Sequence, residues 1–222
     1  MEILNLYSGI GGNRKLWGNE HNITAIEQDE NIAAAYQELY PNDKVIVGDA
    51  HDYLLNNYNS FDFVWSSPPC QSHSRTNYFL NARGIVRYPD MKLYQEILLL
   101  QNFHKGLFCV ENVRGYYQPL ILPKELNRHY FWTNFNINGY KSEAVTICKM
   151  CGKEQTKRRK TIEQVTVERY GIDLTNTKIK NKQQVIRNMV EPELALHILN
   201  CAVGKILIKK DYEQVGLFGE LP

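Results

Sequence analysis

The chain has 222 residues, of which 43% are hydrophobic, and a formal net charge of +2. This length suits one domain, or one domain with a small appendage, and supplies enough apolar material for a sizeable core. No stretch approaches the roughly 20 apolar residues of a membrane span, and no signal peptide is visible at the N-terminus. The five cysteines form no even framework, so we expect a protein of a reducing, cytoplasmic compartment.

Short apolar runs alternate with helix-like segments along the first half of the chain. They predict strands over residues 3–6, 23–26, 44–47, 61–65 and 107–110. Helical spacing of apolar residues, with proline stops, predicts helices over 13–17, 31–40, 91–103, 161–170 and 192–208. Strands that alternate with helices favour an α/β fold with a doubly wound, mostly parallel sheet.

The charge is unevenly distributed along the chain. Residues 137–187 hold 12 lysines and arginines against 5 aspartates and glutamates, whereas the rest of the chain carries a net negative charge. A basic segment on a mildly acidic body is the pattern expected of a protein that binds a polyanion. A solvated charged face explains the charge pattern equally well.

Ligand-type residues follow three successive predicted strands. A glycine turn at 9–12 comes after the first strand and lets the backbone approach a ligand closely. Glu27 ends the second strand, where an acid can bind ribose hydroxyls, and Asp49 follows the third, where a carboxylate can accept from an adenine amino group. The alternative is ordinary turn chemistry with solvated acids.

Cys70 stands in an unusual place for a thiol. It follows Pro68 and Pro69 at the end of the fourth predicted strand. Because proline cannot extend a central strand, the chain must turn out of the sheet and present the thiol at the rim. Ligands bind at that rim in open α/β sheets, so Cys70 is a candidate nucleophile. The alternative is a buried, inert thiol.

Three motifs in this order and spacing resemble those of the DNA cytosine-5 methyltransferases. They are the run from Leu6 to Gly12, Pro69-Cys70-Gln71, and Val110-Glu111-Asn112-Val113; Asn188-Met189-Val190 is similar to the family's final motif. The resemblance covers about residues 1–135 and 183–208. The chain is short for this family and looks most like its compact phage and prophage members, which implies a bacterial or phage-infected cell.

The resemblance implies methyl transfer from S-adenosylmethionine to carbon 5 of cytosine in DNA. Cys70 would add to carbon 6 of the ring as the nucleophile, and Glu111 would contact ring nitrogen 3 as an acid with a raised pKa or a shared proton. Asn112 and Val113 would hold Glu111 in place. The implied cofactor-binding residues are Tyr7, Ser8, Gly9, Gly11, Gly12, Glu27, Asp49, Ala50, Pro69, Asn188 and Val190.

An enzyme of this kind must extrude the base from the duplex. The polar segment 71–90 is composed to close over such a base and grip phosphates, and the basic segment can contact the duplex. The expected DNA-binding residues are Gln71, Ser74, Arg75, Arg83, Arg87, Lys157, Arg158, Arg159 and Lys160. We divide the chain into a catalytic domain (1–136), a small recognition segment (137–187), a returning helix (188–209) and a flexible tail (210–222).

The sequence departs from the family pattern in two places. The family's Gln-x-Arg-x-Arg motif corresponds to residues 126–130, where only Arg128 matches; Tyr130 replaces the arginine that would contact the cytosine carbonyl. Arg128 is therefore a candidate catalytic residue, or it lies on the surface. Asn5 stands where an aspartate is usual, which is expected to affect the turn more than the chemistry.

Three further features leave alternatives open. Cys148 and Cys151 resemble half of a zinc knuckle, with His129 as a possible third ligand, but a plain hairpin turn is the simpler interpretation and we assign no metal. Gln214, Leu217 and Phe218 resemble the peptide that docks on bacterial sliding clamps; a tail packed on its own domain is the alternative. The chain is compatible with a monomer or a dimer, with RNA as substrate, and with a catalytically idle DNA-binding homologue.

Overall fold

The computed structural model describes residues 1–140 and 162–205. These residues form a seven-stranded sheet in the order β3-β2-β1-β4-β5-β7-β6. The strands are β1 (Glu2–Leu6), β2 (Asn22–Glu27), β3 (Lys44–Val47), β4 (Phe63–Ser66), β5 (Leu107–Val113), β6 (Lys124–Leu126) and β7 (His129–Thr133). The first five strands are parallel, whereas β7 runs antiparallel to both β5 and β6.

Helices cover both faces of the sheet, which confirms the predicted doubly wound, mostly parallel α/β fold. They are α1 (Glu30–Leu39), α2 (Ala50–Asn57), α3 (Asn77–Asn81), α4 (Lys92–Phe103), α5 (Ile162–Tyr170), α6 (Lys182–Asn188) and α7 (Pro192–Ala202), with short 3₁₀ turns at Asn13–Leu16 and Tyr58–Ser60. No helix in the two described ranges is both long and apolar enough to cross a membrane.

Alternate residues of each strand build two separate cores. Ile3, Trp65 and Phe131 face one side and pack with Leu194 of α7. Their neighbours along the strands, among them Leu4, Val64 and Trp132, face the other side and pack with α2 and α4. The central strand β4 is buried along its whole length, so its apolar run carries no polar alternation, as is usual for a parallel strand covered on both faces.

Several elements differ from the sequence expectation, among them α3, α6, β6 and β7, which were not predicted. Helix α2 was not predicted, although Asp49 caps it by accepting hydrogen bonds from the backbone of His51 and Asp52. Strand β5 runs on to Val113 because β7 pairs with it, so Glu111 lies within the strand instead of after it. Helix α7 ends at Ala202, where the left-handed Gly204 turns the chain, short of the predicted residue 208.

The described part of the expected recognition segment packs on the main domain. Apolar side chains between α5 and α6 lie against the glycine turn and α1, in one buried cluster that contains Ile10, Ala35, Tyr170, Ile172, Leu174, Ile179 and Ile186. Residues 170–186 therefore pack on the side of the sheet that carries the glycine turn and α1.

Candidate active site

A cleft of about 480 Å³ lies beyond the carboxyl ends of β1 to β5. This is where ligands bind in open parallel sheets. All of the expected cofactor residues line it except Gly11, namely Tyr7, Ser8, Gly9, Gly12, Glu27, Asp49, Ala50, Pro69, Asn188 and Val190. We call this nucleotide-side portion the cofactor half; the portion around Cys70, Glu111 and His129 is the thiol half.

The glycine turn is held by backbone geometry and by one acid. Gly9 and Gly11 adopt left-handed φ angles of 55° and 73°, which glycine reaches at no steric cost. The Gly9 backbone N–H donates to Glu27 Oε2 at 2.9 Å, and the Asp29 N–H donates to Glu27 Oε1 at 2.9 Å. Gly11 lies behind the cleft, where its carbonyl accepts from the Tyr40 hydroxyl at 2.7 Å.

Asn5, near the end of β1, is hydrogen-bonded to Asn13, just after the glycine turn. Asn5, in the place where the family usually has an aspartate, is fully buried and accepts a 2.7 Å hydrogen bond from Asn13 Nδ2. Its own amide nitrogen also reaches Asn13 Oδ1, at 3.4 Å. An aspartate offers no donor here, so Asn5 makes a reciprocal pair that fixes the turn.

The segment 188–190 closes the cofactor half from the other side. A Cβ added at Gly12 would lie 1.8 Å from Met189 Cγ and 2.9 Å from the Val190 carbonyl oxygen. Glycine at this position is therefore what permits the end of α6 to approach the turn. The sequence predicts this contact, because Asn188-Met189-Val190 is similar to the family motif that folds back onto the cofactor site.

Cys70 lies beyond the end of β4 in a loop fastened to β5. The Asn112 side chain donates to the Pro68 carbonyl oxygen at 2.9 Å and accepts from the Val113 N–H at 3.0 Å. The Cys70 carbonyl accepts from the backbone of His73 and Ser74. Asn112, expected to hold Glu111, thus holds the cysteine loop, and the thiol is half-buried at the cleft.

Glu111 and His129 meet in the thiol half. His129 Nδ1 lies 2.6 Å from Glu111 Oε1, and both residues line the cleft with Cys70. Sequence reasoning missed His129 in this role because the register of β7 on β5 is not a local signal. Of the two residues beside it, Arg128 is exposed and does not line the cleft, and Tyr130 packs on the opposite face of the sheet.

The electrostatics of the thiol half oppose a free thiolate. Burial, and then the negative charge of Glu111, raise the pKa of the Cys70 thiol. Burial acts to lower the pKa of His129, but the hydrogen bond and charge of Glu111, with the charge of Glu191, outweigh it, so the pKa of His129 is raised. A proton held between Glu111 and His129 removes the negative charge that disfavours the Cys70 thiolate.

A buried carboxylate outside the cleft links the segments that lead to its two halves. Glu96 of α4 is fully buried and accepts from the Tyr7 hydroxyl at 2.6 Å and the Ser66 hydroxyl at 2.6 Å, and it pairs with His51 Nδ1 at 2.9 Å. Tyr7 begins the glycine turn, and Ser66 ends the strand that leads to Cys70. Sequence reasoning missed Glu96, although an acid within the apolar stripe of α4 was a signal.

The segment expected to close over the base is partly structured. It contains α3, and the Tyr78 hydroxyl donates to the Tyr116 carbonyl at 2.7 Å. Gln71 lines the cleft, whereas the other expected DNA contacts of this segment lie outside it; three of them are exposed arginines, Arg75, Arg83 and Arg87, and Ser74 bonds to Thr76.

Several expected residues lie outside the described part of the chain. They are the DNA contacts Lys157, Arg158, Arg159 and Lys160, the thiols Cys148 and Cys151, and the tail residues Gln214, Leu217 and Phe218. His129, considered as a third zinc ligand, is instead paired with Glu111. Within residues 1–140 and 162–205, no group of three or more histidines, cysteines or acids is placed to hold a metal ion.

A protein-family model described as "C-5 cytosine-specific DNA methylase" matches residues 1–212. The chain belongs to this family. S-adenosylmethionine is the methyl donor of the C-5 cytosine methylases, and the cofactor half fits a polar ligand of this kind. Among residues 1–140 and 162–205, the buried Ser8 Oγ of this half has no hydrogen-bond partner, and the Lys92 ammonium lies 3.6 Å from Asp49 Oδ2.

The individual proteins that the chain matches are distant in sequence. "Type II methyltransferase M1.HgaI" of Avibacterium volantium is 28% identical over 112 residues, which are 47% of this chain and 30% of that protein. The chain thus matches less than a third of the curated relative's length. The structure of a Spodoptera frugiperda DNMT2 mutant is 27% identical, with a TM-score of 0.37 over 52% of this chain and 36% of that chain. A putative DNA modification methyltransferase from an Escherichia coli prophage is 20% identical, with a TM-score of 0.35 over 53% and 33%.

Proposed function

We propose that this methylase transfers a methyl group from S-adenosylmethionine to carbon 5 of cytosine in DNA, through a covalent adduct with Cys70. One observation carries the proposal. The Cys70 thiol, beyond the end of β4, and the Glu111 carboxyl, on the adjacent parallel strand β5, line the same cleft as the glycine turn and its paired acid Glu27.

The cofactor half supplies binding and orientation. Glu27 fixes the turn through two backbone hydrogen bonds, and its remaining lone pairs can accept from ribose hydroxyls. Asp49 Oδ1 accepts the two capping bonds of α2, which leaves Oδ2 for an amino donor. When bound, S-adenosylmethionine supplies an electrophilic methyl group on a sulfonium.

The thiol half supplies the chemistry on the base. Carbon 5 of cytosine is a weak nucleophile, and addition of the Cys70 thiolate to carbon 6 converts the ring into an enamine that can attack the methyl group. Glu111 stabilises the charge that develops at nitrogen 3 during this addition. After methyl transfer, the proton on carbon 5 leaves to solvent, the carbon–sulfur bond breaks, and the thiolate is regenerated.

The exposed segment after Cys70 supports access to an extruded base. Three arginines and two large aromatic side chains, Phe79 and Tyr88, project from it into solvent. Arginines can hold the phosphates on either side of the base, and closure of such a segment would shield the adduct from water. The basic residues 157–160 remain proposed contacts to the duplex.

Replacement of the thiol tests the proposal. In cells that express Cys70→Ser, bisulfite sequencing is expected to find no 5-methylcytosine, whereas the parent chain gives methylation in a defined sequence context. Binding of cofactor and DNA is expected to persist in the variant. Cys201→Ser is the matched control, because Cys201 is buried on α7 away from the cleft.

Purified chain incubated with duplex DNA and with transfer RNA separates the alternatives. Methyl transfer to RNA alone would make RNA the substrate. Binding of DNA without product at either nucleic acid would favour an idle homologue. Full activity of Cys70→Ser would remove the covalent mechanism.

A further inference from the structure

A histidine and a glutamate meet where an extruded base would be bound. Glu111 is on β5 and His129 is on β7, and the antiparallel register pairs His129 with Val113, two residues from Glu111. The two side chains therefore lie diagonally across neighbouring strands, on one face of the sheet. The 2.6 Å separation of Nδ1 and Oε1 is typical of a charge-assisted hydrogen bond.

We propose that His129 is a catalytic residue that holds Glu111 through Nδ1 and donates from Nε2 to the carbonyl oxygen of the extruded pyrimidine. This inference rests on the proposed function. The sequence resemblance assigned the contact with the cytosine carbonyl to the position of Tyr130. We assign it instead to His129, which lines the cleft.

The free nitrogen of the ring is available for this contact. Within the described residues Nε2 has no hydrogen bond, and it is not among the buried polar atoms that lack a partner. The His129 side chain is 20% exposed, against 8% for Glu111, so the ring opens onto the cleft. Nitrogen 3 and the carbonyl oxygen are adjacent on cytosine, which matches a carboxyl and an imidazole placed side by side.

The protonation state decides whether His129 can serve both partners. A neutral imidazole with its proton on Nδ1 offers only a lone pair at Nε2, whereas the imidazolium donates from both nitrogens. The groups that act on the ring are Glu111 on β5 and Glu191 at the start of α7, which favour the imidazolium, and the neighbouring Arg128, which opposes it. Cys70 also lines this half of the cleft, and the charge of Glu111 adds to the effect of burial in raising the pKa of its thiol.

This assignment predicts a fall of activity at high pH. The rate of methyl transfer should drop as pH rises through the raised pKa of His129, above the ordinary value of about 6.5. His129→Arg keeps a donor that stays charged, so it should retain activity and lose this fall. His129→Phe should lose about 10²- to 10⁴-fold in rate, as expected when a positioned proton donor is removed.

The measurement is single-turnover methyl transfer against pH, with total DNA from a strain that lacks cytosine methylation. His104→Gln is the matched control, because His104 bonds to the Leu107 carbonyl at the opposite end of β5. Its profile should equal that of the parent chain. A parental rate and profile in His129→Phe, or an unchanged high-pH fall in His129→Arg, would overturn the proposal.

A second measurement needs neither DNA nor activity. Nuclear magnetic resonance titration of the His129 ring should give a pKa above about 6.5 in the parent chain and a lower pKa in Glu111→Gln, where only the charge of Glu191 still opposes the effect of burial. An equal pKa in both chains overturns the pairing. If the pKa depends on Glu111 but the parent chain yields no methylated base, the proposed function fails and the pairing stands.

Discussion

The two halves of the cleft are built in different ways. In the cofactor half, acids accept from backbone N–H groups: Glu27 binds Gly9 and Asp29, and Asp49 caps α2. In the thiol half, side chains contact side chains, as Glu111 does with His129. Acids held by backbone N–H groups keep one geometry, whereas the pair in the thiol half contains an imidazole, which can gain or lose a proton near neutral pH.

This difference suits the work proposed for each half. A binding site benefits from donors and acceptors fixed before the ligand arrives, because fewer groups need to be ordered on binding. Covalent addition to a base changes charge at the ring, and a titratable pair can follow that change. Buried Glu96 links the segments that lead to the two halves, because it accepts hydrogen bonds from Tyr7 and from Ser66.

The largest expected effect comes from exchanging the carboxyl of each half for an amide. Glu111→Gln should lower the rate of methyl transfer by about 10²- to 10⁴-fold, because the carboxyl group that acts at nitrogen 3 is lost, and it should leave cofactor affinity unchanged. Glu27→Gln should instead lower cofactor affinity and leave the rate of methyl transfer at saturating cofactor unchanged. Its amide nitrogen cannot accept from a backbone N–H, so cofactor affinity falls while the rate at saturation is kept.

Isothermal titration calorimetry with S-adenosylmethionine and single-turnover kinetics measure the two quantities separately. Each variant serves as the control for the other. A loss of both affinity and rate in either variant would show that the two halves do not act independently.

A smaller effect is expected from a methyl group added to the turn. The Cβ of Gly12→Ala would overlap Met189 and crowd the Val190 carbonyl oxygen. Overpacking of this kind costs about 1–3 kcal/mol, and if this cost is borne on cofactor binding it corresponds to about a 5- to 140-fold loss of cofactor affinity. Isothermal titration calorimetry with S-adenosylmethionine measures this loss of affinity.

The clash itself can be relieved as a check. Met189→Ala removes the atom that lies 1.8 Å from the added Cβ, so Gly12→Ala combined with Met189→Ala should regain part of the lost affinity. Wild-type affinity in Gly12→Ala alone would mean that segment 188–190 does not close the cofactor half.

The link between β5 and the cysteine loop is tested next. Asn112→Ala leaves the buried Pro68 carbonyl without its donor, which should lower the free energy of unfolding by about 1–3 kcal/mol. The methyl-transfer rate should fall by up to about a hundredfold, because the thiol is less well positioned. Chemical denaturation and single-turnover kinetics measure these two effects.

A matched asparagine, Asn134, follows β7 and bonds to the backbone at the other end of β5. Asn134 donates to the Gly106 carbonyl at 2.9 Å and accepts from the Phe108 N–H at 3.0 Å, in an exposed position far from the cleft. Asn134→Ala should therefore cost less stability and leave the rate unchanged. Equal kinetic effects of the two variants would mean that Asn112 matters for folding alone.

Much of the cofactor half could be predicted from the sequence because its signals are local. A glycine turn, an acid at a strand end and an aspartate before a helix each act within a few residues of chain. Cys70 was predictable for the same reason, since two prolines direct the chain out of the sheet.

The rest depends on contacts between distant segments. His129 reaches Glu111 only through the antiparallel register of β7 on β5, and a shift by one residue would turn Tyr130 toward the cleft instead. Glu96 was visible as an acid among Leu93, Ile97 and Leu100, but its three partners come from β1, α2 and β4 or their ends. No local pattern joins them.

The smallest expected effect is a pH dependence of stability at this junction. The hydrogen bond to Glu96 is the main cause that raises the pKa of His51, against the effect of burial. A histidine whose pKa is raised on folding stabilises the protein fully below its ordinary pKa of about 6.5, and this stability is lost as pH rises through the raised value. His51→Asn should therefore lower the free energy of unfolding by about 1–2 kcal/mol near pH 6 and by less at pH 9.

His104→Gln should show the opposite trend, because burial lowers the pKa of His104 and favours its neutral form. Urea denaturation of the three chains from pH 5.5 to 9, a range set by these pKa directions, compares the slopes. If the free energy of unfolding of the two variants changes with pH in parallel, the bonds that Glu96 makes are neutral hydrogen bonds. Only the thiol half would then respond to pH.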